Sequence, residues 1–274
     1  MIDIPYALPE GTLLAGDFRI TAILGAGGFG ITYRARDIHL KRDVAIKEYF
    51  PKMFAHREGG SSVRATSGGG KADYNWGLER FLNEAQMLAQ IKHPNVVGVS
   101  RYFRENNTAY LVLELLQGED FESWLKQRRE PPAQADLDRL AAPLLDALAL
   151  VHENGILHRD IKPANIFIRA EDGEPVLIDF GASRHSMGEH TGTTAAIASP
   201  GYSPSESYSG KVAHQGPWSD IYGLAATFYR ALTGRPPSDA TGRLIEEDYE
   251  PLSARPELAN YRPGFLQAID EALA

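Results

Sequence analysis

Residues 158–165 read His158-Arg159-Asp160-Ile161-Lys162-Pro163-Ala164-Asn165. A carboxylate, an ammonium and an amide fall within this one short stretch, and Pro163 keeps it out of a helix interior. Six fixed positions of this kind arise by chance about twice in a million, so the cluster outweighs any shorter motif in the chain. Upstream, Leu137, Leu140, Leu144, Leu148 and Val151 recur at helical spacing, with Pro143 inside the stripe, where a bend is expected. Downstream, an apolar run from Pro175 to Ile178 reads as a short strand and opens into Asp179-Phe180-Gly181. Taken singly, Asp, Asn and Lys are solvated surface residues or helix caps, and Phe180 is core. His158 alone reads as packed scaffold, and none of the His residues has metal-ligand spacing. Their joint occurrence, in order, is what points to chemistry.

Further out, residues 17–50 carry the alternating segments FRITAIL, GITYRARD and DVAIKEYF, which predict strands joined by tight turns. Between the first two lies Gly25-Ala26-Gly27-Gly28-Phe29-Gly30, where glycines would let backbone N–H groups reach phosphate oxygens. Alone this loop fits a flap over a nucleotide, the first turn of a dinucleotide fold or a plain turn. The segment after it has no helical apolar face; Ile31, Tyr33 and Ala35 alternate with polar residues, which favours a hairpin. Residues 59–77, GGSSVRATSGGGKADYNWG, read as loop. A helix follows with Phe81, Ala85, Leu88 and Ile91 on one face, stopped at His93-Pro94-Asn95. TAYLVLELL is a buried strand, and another helix is expected from about Asp220 to Leu232, ended by Gly234. Strands first and helices later predict an α+β, bilobal arrangement with its boundary near Glu114–Gly118 and no internal repeat.

The glycine loop, Val44-Ala45-Ile46-Lys47, the 158–165 stretch and Asp179-Phe180-Gly181 stand in the order of the protein-kinase signature set. The sequence resembles the eukaryotic-like, Hanks-type protein kinases. KEYFP, the long Gly-rich insert and LVHENGILHRDIKPANI are most similar to the bacterial Ser/Thr branch. The resemblance implies one kinase domain: a small β-rich lobe over 1–116 with one regulatory helix, and a larger helical lobe over 117–274.

The same resemblance implies roles. Phosphoryl transfer needs cations around the phosphates and a positioned hydroxyl. Asp160 would accept the acceptor's proton and Lys162 would face the transferring phosphate. Lys47 would meet the α- and β-phosphates, held by Glu84. Asn165 and Asp179 would hold Mg²⁺, or Mn²⁺ in its place, and ATP would be the donor. Gly25, Gly27, Gly28 and Gly30 would cover the phosphates, and Ala45 and Phe167 would sandwich the adenine. Thr32, where Val is more usual, adds a hydroxyl there. Leu113 would back the adenine pocket, Glu114–Leu116 would form the hinge, and Asp120 would lie near the ribose. Arg159 and Arg184 would clamp a phosphate added in the Thr191, Thr193, Thr194 cluster, and Ser199-Pro200-Gly201-Tyr202 would cradle the substrate. Lys162 in this pattern indicates Ser/Thr acceptors on protein substrates.

Two departures stand out. Ala-Pro-Glu becomes Pro204-Ser205-Glu206, and the end of the chain reads as truncated before the Arg that would pair with Glu206. Arg255 and Arg262 stand too early for that place. The insert after Lys47 is longer than usual. A pseudokinase scaffold and a small-molecule kinase remain alternatives; a dehydrogenase is the most remote.

Composition sets the outer bounds. The chain has 274 residues, no Cys and a formal charge of −8. Ordinary hydrophobicity excludes a disordered or fibrous chain, and the lack of Cys excludes a disulfide scaffold or a Cys-ligated metal. The acidic balance argues against sequence-independent nucleic-acid binding. Most of its excess, −5 of the −8, lies from Pro236 onward and reads as a solvated acidic face. Met1–Glu10 has neither basic residues nor an apolar run, and no stretch is long and apolar enough to span a membrane, so a cytoplasmic protein is expected. The sequence leaves oligomeric state open.

Overall fold

The alternation over 17–50 is realised as β2 (Phe18–Ala26), β3 (Gly30–Asp37) and β4 (Arg42–Tyr49). Ile31, Tyr33 and Ala35 of β3 are each fully buried while Arg34 and Arg36 face solvent, the period of two that a half-covered strand requires. This computed structural model describes residues 4–66, 70–180, 198–209 and 212–274. Contacts divide the chain into two units, Met1–Lys92 with Val97–Leu115, and His93–Val96 with Leu116–Ala274.

In the first unit, β1 (Leu13–Leu14), β7 (Val99–Glu105) and β8 (Thr108–Glu114) complete a six-stranded antiparallel sheet in the order β1-β2-β3-β4-β8-β7. Seven-residue β8 is buried almost throughout, as the apolar run TAYLVLE demands of an inner strand. Two register shifts in β2, at Ile20/Ala22 and Ile23/Gly25, bend the strand as it approaches the glycine loop.

The expected loop over 59–77 is corrected. Strands β5 (Ala55–Glu58) and β6 (Ser62–Ala65) form a hairpin, and helix α1 already begins at Gly70 (Gly70–Leu88). Glycine and serine content masked a buried face that extends back from Phe81 through Leu78 to Tyr74. Tyr74 and Phe81 both set their rings against Tyr49, at 5.4 and 5.6 Å, and that burial outweighs the weak helix propensity of Gly77. The helix also ends earlier than expected. It stops at Leu88, and Ile91 is buried through a following turn in which its N–H donates to the Leu88 carbonyl at 3.0 Å.

The second unit holds β9 (Gly118–Asp120), α2 (Phe121–Lys126), α3 (Gln134–Glu153), β10 (Ile166–Arg169), β11 (Pro175–Leu177), α4 (Pro217–Thr233), α5 (Ala240–Arg243) and α6 (Pro263–Leu273). The apolar stripe of α3 is buried as a continuous helix through Pro143. Helix α4 is buried on nearly every side, so it is a core helix, and Gly234 closes it at φ 79°. Helix α6 packs on it, with Phe228 and Phe265 edge to face at 5.7 Å. Strands β9, β10 and β11 form a small antiparallel sheet. Gly118 at its edge has φ 140°, and a Cβ there would lie 2.0 Å from the Ile168 carbonyl oxygen, so only glycine fits. Asn95 donates from its side chain to the Pro175 carbonyl at 2.7 Å, which ties the His93–Val96 segment to this sheet.

Candidate active site

The 158–165 stretch leaves α3 as a loop and ends in a 3₁₀ turn, Pro163–Asn165, because Pro163 can begin a helical turn but not continue one. The loop gathers three polar side chains on Asp160, which is 4% exposed. Lys162 Nζ lies 3.1 Å from each carboxylate oxygen. Ser199 Oγ donates to Oδ1 at 2.8 Å, and Lys162 Nζ also reaches Ser199 Oγ at 3.0 Å. Asn165 Nδ2 donates to Oδ2 at 2.6 Å and to the Asp160 carbonyl at 2.8 Å. A carboxylate beside an ammonium and a hydroxyl can align an acceptor hydroxyl and take its proton.

The loop is held from beneath by α4. Asp220, almost wholly buried, accepts the His158 N–H at Oδ2 (2.8 Å) and the Arg159 N–H at Oδ1 (2.7 Å), and His152 Nε2 also lies 2.8 Å from Oδ2. One turn on, Gly223 lets α4 approach: a Cβ there would sit 2.9 Å from the Ile161 carbonyl oxygen. His158 is scaffold. Its Nε2 donates to the Ile178 carbonyl at 2.9 Å, Nδ1 accepts the Asp160 N–H at 3.3 Å, and its ring lies 4.4 Å from Phe180. Burial pushes its pKa below the ordinary histidine value, more than Asp220 and Asp160 push it up.

Asn165 and Asp179 are brought side by side by a backbone hydrogen bond from Ile178 N–H to the Asn165 carbonyl, 3.0 Å. Because the Asn165 amide nitrogen serves Asp160, its oxygen is the atom left to offer a cation. Asp179 has φ 58° and Arg159 has φ 66°, left-handed conformations that non-glycine residues adopt where the surroundings impose them. Among the described residues no three His, Cys, Asp or Glu side chains cluster as a metal cage. One carboxylate and one amide oxygen suit Mg²⁺, which keeps waters and takes phosphate oxygens as its other ligands.

In the first unit Lys47 is half-buried on β4, and Ala45, two residues earlier, is buried. Thr32 pairs across the sheet with Lys47 on one side and Gly25 on the other. Glu84 is buried on α1. The glycine loop is a turn in which Gly27 N–H donates to the Gly30 carbonyl at 2.9 Å. Gly30 is required by the sheet, since a Cβ there would meet the Glu48 carbonyl oxygen at 2.6 Å. Gly25, Gly27 and Gly28 have open space at that position and no positive φ, so neither neighbours nor backbone require glycine. What they keep clear is a surface on which a phosphate could meet bare backbone. Leu113 is buried near the end of β8, and the Glu114 N–H donates to the Gly98 carbonyl at 2.9 Å.

In the second unit Leu116 and Phe167 are half-buried. Asp120 caps α2, with Oδ1 accepting from Ser123 N–H at 2.9 Å and Oδ2 from Ser123 Oγ at 2.7 Å. Both its oxygens are thus engaged in a cap, a task the sequence reading did not assign. Glu206 finds a partner other than arginine: Ser219 Oγ donates to it at 2.7 Å. Arg184, Thr191, Thr193 and Thr194 lie outside the described residues. Asp220 is the residue that sequence reading left out of the site; Ser199 was placed in the substrate cradle, but its bond to Asp160 was not foreseen. Nothing local marks either role, because the two residues stand 39 and 60 positions beyond Asp160 and meet the stretch only through folding.

A protein kinase domain model matches residues 18–255. The serine/threonine-protein kinase PknA of a Nostoc species is 33% identical over 277 residues, covering 96% of this chain and 44% of the relative. Serine/threonine-protein kinase C of Synechocystis is 34% identical, covering 95% and 46%. The chain therefore spans less than half the length of these curated relatives. The solved apo form of PpkA-294 is 38% identical, with 98% of this chain and 93% of that one covered and a TM-score of 0.88. The PknI kinase domain of Mycobacterium tuberculosis, at 24% identity and a TM-score of 0.67 over 98% of this chain and 91% of its own, shares the fold. A family model that spans both units, with bacterial relatives at this level of identity, settles kinship: the chain belongs to the protein kinase domain family, in its Hanks-type bacterial serine/threonine branch.

Proposed function

We propose that this kinase domain transfers the γ-phosphoryl group of ATP to serine and threonine hydroxyls of protein substrates. The observation that carries the reading is the Asp160 carboxylate, buried and bonded at once to Lys162, Ser199 and Asn165. In this reading the acceptor hydroxyl reaches Asp160 beside Ser199 Oγ, and Asp160 removes its proton. Lys162 carries charge to the transferring group, and Lys47, steadied by Glu84, carries it to the α- and β-phosphates. Mg²⁺ held by Asn165 and Asp179 would neutralise phosphate charge and fix its orientation. Positioning supplies roughly 7–11 kcal/mol and proton removal only about 10²–10⁴-fold, so alignment dominates.

The lobe limits 1–116 and 117–274, the hinge at Glu114–Leu116, the adenine contacts of Ala45 and Phe167 and a ribose contact at Asp120 belong to the same proposal. So does autophosphorylation in Thr191–Thr194 clamped by Arg159 and Arg184, because a phosphate adds charge that guanidinium groups can pair. The Cys-free composition fits work in the reducing cytoplasm. The test is transfer of labelled phosphate from ATP, with Mg²⁺, to serine, threonine and tyrosine peptides and to small alcohols. Label on serine or threonine that Asp160→Asn lowers about 10²–10⁴-fold supports the proposal. Equal signal in both proteins, or none, favours a scaffold, and label on the alcohols alone favours a small-molecule kinase.

A further inference from the structure

Glu48 follows Lys47 on β4, so the two side chains leave opposite faces of the sheet. Behind the sheet the Glu48 carboxylate is wholly buried, and four hydrogen bonds converge on it. Tyr33 Oη, from the strand on one side, donates to Oε2 at 2.7 Å. Tyr110 Oη, from the strand on the other, donates to Oε1 at 3.0 Å. Arg57 donates to both oxygens, at 3.0 and 2.7 Å, in a two-pronged pair whose own side chain is 6% exposed.

Arg57 comes from β5, part of the insert that follows Lys47. Its Nε donates to the Tyr6 carbonyl at 2.6 Å, its Nη1 also to the Ser61 carbonyl at 2.7 Å, and its guanidinium lies 5.0 Å from the Phe50 ring. The Leu8 N–H donates to Tyr33 Oη at 3.0 Å. Thus the N-terminal segment, β3, β4, the β5–β6 hairpin and β8 are tied to one carboxylate, one residue from Lys47. Burial beside Glu48 pushes both phenols well above the ordinary tyrosine value, so they remain donors. A buried ion pair is a poor source of net stability, since a well-packed apolar pair serves as well or better. What it does supply is a fixed register, because every donor must meet the same two oxygens.

We infer that Glu48 and Arg57 are positioning residues for Lys47, and that the insert serves as the brace that fixes the β4 backbone where Lys47 meets nucleotide. The inference rests on the kinase reading above. It predicts a defect in ATP use that leaves use of the protein substrate alone.

Steady-state kinetics of the whole chain, varying ATP at saturating peptide and then peptide at saturating ATP, test it. Glu48→Gln is expected to raise KM for ATP about tenfold, and Tyr33→Phe and Tyr110→Phe about threefold each, with KM for peptide within about twofold of wild type. Arg57→Lys should recover most of what Arg57→Met loses. A purely structural role would reduce the folded fraction, lowering kcat and melting temperature with KM for ATP unchanged, and that result overturns the inference. Should Glu48→Gln fail to fold, the two tyrosine variants, which keep the ion pair and both rings, decide alone. A wild-type chain that transfers no phosphate overturns the kinase reading and this inference with it.

Discussion

A single hydroxyl marks how tightly the site is drawn. Ser199 Oγ sits within 3.0 Å of both Asp160 and Lys162. Ser199→Ala removes one hydrogen bond to each of two charged groups, and such bonds are worth about 1.5–3 kcal/mol. The expected result is a fall of about tenfold or more in kcat, with KM for ATP little changed, read by steady-state kinetics. His158 offers a second test at this scale. Its pKa in the folded state lies below the ordinary value near 6.5, so the unfolded chain takes up the proton first as pH falls. Stability is therefore intact above about pH 6.5 and declines below it, by up to about 1.4 kcal/mol per pH unit until the folded-state pKa is reached. Urea unfolding between pH 7.5 and 5.5 should show that slope, and His158→Asn should flatten it. Asp160, Lys162 and Asn165 were legible because one short stretch of sequence holds them all. The bond of Ser199 to Asp160 and the role of Asp220 were not, because they arise only when a loop and a core helix fold against the stretch.

Elements differ in how openly the sequence declares them. The strands β2, β3 and β4 were plain from alternation and α3 from apolar spacing, because in each the buried face is set by side chains alone, while α4 was marked by Gly234 at its end. The hairpin β5–β6 and the first turns of α1 were hidden. The glycines and serines around them speak for loop, and the contacts that outweigh them, Tyr74 on Tyr49 and Arg57 on Glu48, join residues 25 and 9 positions apart. Two glycines make opposite predictions at this scale. Gly223→Ala would force a Cβ to within 2.9 Å of the Ile161 carbonyl oxygen, so α4 or the 158–165 loop must shift. A cost of about 1–3 kcal/mol in unfolding free energy and a parallel loss of kcat are expected. Gly27→Ala meets open space and no positive φ, so stability should stay within about 0.5 kcal/mol while KM for ATP rises, because the new methyl group stands where a phosphate would approach. An unfolding curve and an ATP titration on the two variants separate these outcomes.

For the molecule as a whole, the order of strands before helices already pointed to an α+β chain of two units. The family resemblance rested on residues spread from Gly25 to Asp179. The engagement of Asp120 as a helix cap, and the serine partner of Glu206, could not be read from a resemblance, since each depends on which neighbours this particular chain supplies. The proposed transfer requires Lys47 and Asp179 to act on the same ATP. Calorimetric titration of ATP into the wild-type chain, Lys47→Met and Asp179→Asn, each with and without Mg²⁺, measures this most directly. The expected result is one ATP bound per wild-type chain, tighter with Mg²⁺ than without, with weaker binding in Lys47→Met and no Mg²⁺ enhancement in Asp179→Asn. No uptake of ATP by the wild-type chain in Mg²⁺, or identical binding by all three proteins, would contradict it.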